Sequence, residues 1–286
     1  MEKEEIIDIC QKTEKKFKKI IKNISYEKKG IFNSEMLMFV SIVESLGIKN
    51  IIESGRARGQ STKVICEFFN NPNYKIDSIE YYKYNKDAII AMRRLHQYKN
   101  LNLHFGDALG LIPKILKNEC CILLDGPKGD KALKLAASLF KNPFVRAVFI
   151  HDVHKDSPHR MVMENLFNYT FFSDDEDFIK RFKYLDKDCW IKQARYKKAR
   201  DWEPYKRGQK KMQSYSSTLG AVFNNKSGIN TQFYKEYFGN KRSNKIRKRI
   251  VTGAVHKICR SAAIPVWFIL YYLNKFYFKN IRNKYE

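Results

Sequence analysis

Five times between residues 50 and 170 a short apolar run gives way to a loop and then to a helix-like stretch. The runs are "NIIES", "KIDSIE", "LNLHF", "CCILLD" and "VRAVFIHD", and the helical patterns lie near 60–70, 85–97, 109–117, 130–141 and 157–169. Short strands joined by helices pair in parallel, because each crossover carries the chain back to the same end of the sheet. Right-handed crossovers then give a doubly wound α/β domain, a mostly parallel sheet with helices on both faces. Ligands of such sheets sit in the crevice beyond the carboxyl ends of the strands. The glycines and acids of this sequence fall at those ends.

Around this unit the pattern loosens. Residues 3–23 place Ile6, Ile9, Cys10, Phe17, Ile20 and Ile21 at helical spacing among charges, an amphipathic N-terminal helix. "SEMLMFVSIVESLG" predicts a second helix, with Ser34 as N-cap and Gly47 closing it. Beyond Phe172 come an acidic turn, "SDDEDF", and a polar basic loop; "STLGAVFN" then returns as a strand that completes the sheet. A basic helix is expected over 233–250. The organisation is therefore an N-terminal helical extension (1–33), the α/β domain (34–225), and a basic, partly apolar helical extension (226–286).

Charge divides the chain in the same way. Of a net +25, residues 226–286 carry fourteen basic against two acidic side chains, and 192–211 carry nine against two. A patch of that kind expects phosphate, whether of nucleic acid, anionic lipid or a phosphorylated glycan. A hydrophobic content of 44% excludes general disorder. None of the six cysteines forms a C-x-x-C pair, which favours buried free thiols over disulfides or zinc. The N-terminus has no apolar signal core, so a cytoplasmic location is expected.

The loops carry the chemistry. In "ESGRARG", Glu53 ends the first strand, Gly55 lets the chain turn, and Gly59 permits close packing where the helix begins. Ser61 and nearby backbone N–H groups are placed to hold a ligand carboxylate. Arg56 and Arg58 sit in the same loop, to face outward toward an anionic substrate or to crowd the pocket. Glu80 ends the second strand, where such folds hold a ribose diol, and "FGDA" puts Asp107 and Ala108 after the third. "LLDGPKG" sets Asp125 at the end of the fourth strand with Lys128 three residues on, and "FIHDVH" sets His151 and Asp152 after the fifth.

Over roughly residues 34–225 the sequence resembles the class I S-adenosylmethionine-dependent methyltransferases, which implies a Rossmann-like fold and that cofactor. By that resemblance Gly55, Gly59 and Ser61, with Glu53, would hold the methionine end. Glu80 would hold the ribose, and Asp107 with Ala108 the adenine region. The ends of the fourth and fifth strands are similar to metal-dependent O-methyltransferases of the catechol O-methyltransferase kind. That likeness implies a divalent ion, magnesium or manganese, on Asp125, His151 and Asp152, with Lys128 as base. A hydroxyl needs such help, because it is a poor nucleophile until a metal or base acts on its proton. His151 departs from the oxygen ligands magnesium prefers and suits manganese, iron or zinc better. His154 and His159, on the following loop, are candidate substrate contacts or simply solvated.

The expected acceptor is a hydroxyl of a glycan, lipid-linked saccharide or small metabolite. Residues 262–273 are apolar or aromatic throughout and too short for a comfortable span. With basic flanks they suit a helix lying on an anionic membrane, so 241–286 are read as a peripheral attachment. Two alternatives stand beside this. One is a nucleic-acid (RNA) methyltransferase that uses the basic segments as a phosphate clamp. The other is a binding protein that kept the fold without turnover.

Overall fold

The structure is a computed structural model that describes residues 1–27, 30–155, 157–196, 218–224 and 228–239. The five expected strands are present: β1 (Asn50–Ser54), β2 (Lys75–Glu80), β3 (Leu101–Phe105), β4 (Cys120–Leu124) and β5 (Val145–Ile150). Two more complete the sheet, β6 (Phe171–Phe172) and β7 (Gly220–Phe223). The order is β3-β2-β1-β4-β5-β7-β6. All pairings among β1 to β5 are parallel, while β7 runs antiparallel between β5 and β6. The strand order therefore reverses between β1 and β4. That switch point is where the loops diverge and leave a crevice. The fold is the Rossmann-like doubly wound sheet that the alternation predicts.

Strand parity sorts the core into two layers. Ile51, Ile76, Cys121, Leu123, Ala147 and Phe149 face one side, with α1 (Lys3–Ile21), α2 (Asn33–Ser45) and α3 (Gln60–Phe68) against them. Ile52, Ile79, Ile122, Leu124, Val148 and Ile150 face the other, under α5 (Ala108–Ile115), α6 (Asp130–Leu139) and α7 (Pro158–Leu166). Side chains alternate across a strand, so strands buried on both faces read as the continuous apolar runs seen in the sequence. The connection after β2 is α4 (Lys86–Leu95), whose Ala91 and Leu95 join the first layer.

Several local details differ from expectation. Ser34 is not the N-cap of α2; the helix starts at Asn33, after Phe32. Ser34 instead donates its backbone N–H and its hydroxyl to Asp186, at 2.8 and 2.6 Å, and so ties α2 to a turn 152 residues away. A tertiary carboxylate has taken over what reads locally as a cap. Gly47 does end the α2 region, with φ +66°. In the N-terminal helix Ile6, Cys10 and Phe17 are buried in the same layer as α2. After β6 come α8 (Glu176–Phe182), a 3-10 turn (Lys183–Asp186) and α9 (Lys187–Tyr196), and after β7 comes α10 (Thr231–Phe238). Tyr237 and its neighbours Phe233 and Phe238 pack on the second layer. The basic helix expected over 233–250 is thus described only to Phe238, and the proposed membrane segment 241–286 lies outside the described residues. Among described residues no helix is long and apolar enough to cross a membrane. The five described cysteines are free and buried, as expected of thiols used for packing.

Candidate active site

The glycine loop after β1 is shaped by contact. Gly55 has φ +94°, and a Cβ there would lie 2.5 Å from the Gly126 nitrogen and 2.6 Å from the Asp125 carbonyl carbon. Only glycine lets the β1 and β4 ends approach so closely. The Gly55 N–H donates to Ile79 O at 3.0 Å, closing the loop over the end of β2. Gly59, at φ +75°, starts α3, and a Cβ there would press on Leu95 of α4.

Glu80 ends β2 with both carboxylate oxygens engaged: Oε2 accepts from the Ala57 N–H at 2.7 Å and Oε1 from the Tyr81 N–H at 2.9 Å. Each oxygen keeps a second lone pair for a ligand hydroxyl. At the end of β3, Gly106 has φ +137° and donates to Glu80 O, and Asp107 caps α5 by accepting from the Leu109 N–H at 3.0 Å. Together these loops enclose a cavity of about 310 Å³, lined among others by Gly55, Glu80, Tyr81, Asp107, Ala108 and Pro127.

Three residues expected to hold ligand are not among those that line the cavity. Glu53 is fully buried and accepts from Ser61 Oγ at 2.5 Å, from the Thr62 hydroxyl, and from Ser78 Oγ at 2.7 Å. Burial pushes the Glu53 carboxyl up, and the three hydroxyls and Arg56 pull it back. Glu53 and Ser61 therefore form a brace beneath the loop, and Gly59 serves the helix junction. The two arginines take neither expected position. Arg56 is 1% exposed and donates from Nη1 to Ser78 O. Arg58 pairs with Asp87 at 2.8 Å and with Glu27 at 3.6 Å, which fastens the loop to its neighbours.

The second group of residues stands where β4 and β5 end. His151 Nδ1 lies 2.5 Å from Asp125 Oδ1 and 3.5 Å from Asp152 Oδ1. Lys128 Nζ bonds Asp125 and lies 2.6 Å from Asp152 Oδ2. Asp152 holds φ +64°, a region that non-glycine residues enter rarely and that often marks a functional turn. Behind them, the fully buried Glu35 of α2 places Oε2 3.4 Å from His151 Nε2. Neither His151 Nε2 nor Glu35 Oε1 has a hydrogen-bond partner among the described residues.

Burial opposes the charge on His151, but the carboxylates of Asp125 and Glu35 outweigh it and lift the imidazole to about 10. Burial pushes Asp125 up, and His151 and Lys128 pull it further down, below the usual carboxylate range. Lys128 is opposed by burial and raised by Asp125 and Asp152. His151 and Lys128 are thus both held in the charged form beside Asp125, with Asp152 and Glu35 as further neighbours.

Asp125, His151 and Asp152 each offer one ligand atom, and those atoms lie within 4.8 Å of one another. The donors fit a divalent ion that accepts one nitrogen and two oxygens. The Lys128 ammonium bonds the same two carboxylates, so an ion there would have to displace it. Glu35 carries little signal in the sequence. The available signal was an acid at the start of an otherwise apolar, wholly buried helix segment, "EMLMFV". Of the loop histidines, His159 packs against Gly129, with Nε2 3.9 Å from Asp130 Oδ1 and Nδ1 3.3 Å from Ser157 Oγ.

No family model matches the chain, and no curated protein matches it. Solved structures with a related backbone include the S-adenosylhomocysteine-bound methyltransferase PaMTH1 of Podospora anserina. It is 13% identical over 76% of this chain and 87% of its own, with a TM-score of 0.41. The O-methyltransferase TomG of Streptomyces achromogenes, in complex with S-adenosylmethionine, is 15% identical over 78% and 91%, at 0.41. The N-terminal domain of EvdMO1, crystallised with S-adenosylhomocysteine and D-fucose, is 15% identical. The chain spans 63% of that domain's length, which covers 49% of this chain, at 0.35. At these identities and scores the likeness is to a fold, and the functional reading rests on the site's own geometry.

Proposed function

We propose that the protein is an S-adenosylmethionine-dependent methyltransferase acting on a hydroxyl oxygen of a glycan or small metabolite. The observation that carries this is the adjacency of two sites on one crevice. A cavity with the Glu80 carboxylate and the capped Asp107 loop at its wall meets, across the Gly55–Gly126 contact, a cluster of Lys128, Asp125, His151 and Asp152. The cavity suits a nucleoside: Glu80 retains acceptor capacity for a ribose diol, and Tyr81 and Ala108 supply apolar wall beside it. When bound, the cofactor supplies an electrophilic methyl group, so the protein needs no covalent nucleophile and must chiefly position and deprotonate the acceptor.

The cluster is where that proton would be handled. Held between two carboxylates, the Lys128 amine is an ammonium and stabilises a developing alkoxide as a donor. Asp152, with its side chain 44% exposed, is the carboxylate best placed to meet an incoming hydroxyl. A divalent ion held by Asp125, His151 and Asp152 would lower the pKa of an acceptor hydroxyl, and it would release Lys128 to act as a base.

Incubation of the full chain with S-adenosylmethionine and fractionated hydroxylated acceptors tests the reading. The expected result is acceptor-dependent formation of S-adenosylhomocysteine. Cofactor binding with no turnover on any acceptor fraction would instead favour a binding protein that kept the fold.

A further inference from the structure

Arg56 is the largest of the fully buried side chains among the described residues, and it stands in the middle of the glycine loop. Its Nη1 donates to Ser78 O in β2 at 2.5 Å. Its guanidinium carbon lies 4.9 Å from the centre of the Phe105 ring, which ends β3 in register with Glu80. Its own N–H reaches Ile79 O at 3.3 Å. One side chain thus ties the loop after β1 to the ends of β2 and β3.

The arrangement is costly, because Nε and Nη2 are buried with no hydrogen-bond partner among the described residues. An arginine kept only for packing would be replaced by an apolar side chain at no loss. Its compensation is electrostatic: burial lowers its pKa, while the carboxylates of Glu53 and Glu80 favour its charge. Arg56 is not among the residues lining the cavity, so it touches no ligand there. The next residue, Ala57, takes φ +45° and presents its N–H to Glu80 Oε2. The turn that fixes Glu80 therefore starts from the anchored arginine.

We propose that Arg56 is a positioning residue for the cavity, acting on a bound nucleoside through Glu80. The inference rests on the cofactor reading above, and a double-mutant cycle separates the two. S-adenosylhomocysteine affinity is measured by calorimetry for the full chain and for Arg56→Met, Glu80→Gln and the double variant, with melting curves for each. Arg56→Met keeps much of the volume and removes the charge and donors. It should weaken binding about ten- to a hundredfold, the scale of a hydrogen bond to a charged group. In the Glu80→Gln background the same substitution should add little, because its route to the ligand is already cut. Should Arg56→Met fail to fold, Arg56→Lys carries the same cycle. Additive losses, or an Arg56 variant that binds like the parent, overturn the inference while leaving the cofactor reading intact. Failure of the unsubstituted, folded chain to bind removes both.

Discussion

Gly55→Ala isolates the contact on which the whole crevice depends. At φ +94° an alanine pays a backbone penalty of about 1–2 kcal/mol. Its methyl would also stand 2.5 Å from Gly126 N and 2.6 Å from the Asp125 carbonyl carbon. Both are backbone atoms, so relief requires the end of β4 to move, with overpacking that costs about 1–3 kcal/mol more. The total expected loss is about 2–5 kcal/mol of stability. Because Asp125 moves with β4, the cavity and the Lys128 cluster should separate and ligand binding should fall as well. Gly47→Ala is the control: its φ is +66°, but nothing lies within 4 Å of the added carbon. It should show only the backbone term, about 1 kcal/mol. Urea unfolding of both variants, followed by calorimetry with S-adenosylhomocysteine, reads the difference. Equal losses for the two substitutions, or a Gly55→Ala chain of parental stability and affinity, would refute the steric reasoning.

The remaining predictions concern the charged cluster. His151 has a folded pKa of about 10, raised above its ordinary 6.5, so its stabilising contribution is complete below pH 6.5 and is lost as pH rises through about 10. His151→Leu should therefore flatten the fall in melting temperature between pH 7 and 10; an unchanged slope would contradict the assigned ion pairs. Lys128→Met should slow methyl transfer with little change in cofactor affinity, since Lys128 is not among the residues lining the cavity; an unaffected rate would return it to a structural role. If the donor set takes a metal, a chelator should abolish turnover and manganese restore it, and Asp152→Ala should lose turnover yet still bind cofactor. Turnover indifferent to chelator would remove the metal without touching the methyl transfer.

What could be read in the sequence was what is local in the chain. The β1 to β5 alternation, the positive-φ glycines at 47, 55 and 59, and the acids Glu80 and Asp107 at strand ends each lie within one strand–loop–helix unit. What escaped depends on pairings distant along the chain. Nothing near Glu35 announces His151, 116 positions later, and nothing near Ser34 announces Asp186. Glu53 and Ser61 both belong to the loop pattern, but the sequence does not show that they bond each other. Strand parity turns Glu53 toward the same layer as Ser78 and α3, beneath the loop, where it bonds Ser61 and Ser78. Arg56 misled for a related reason: a charged residue in a loop is normally solvated, and here Glu53, Glu80 and the Phe105 ring hold it inside. The pairing of β7 between β5 and β6 was also hidden, because β6 is only two residues long.

The most direct test of the account is a calorimetric titration of S-adenosylhomocysteine into the full chain and into Glu80→Ala. Saturable one-to-one binding by the parent, weakened at least about tenfold in a variant that melts like the parent, is the predicted result. A folded parent that gives no binding heat across temperatures, or a Glu80→Ala chain that binds equally well, would contradict the assignment of the cavity.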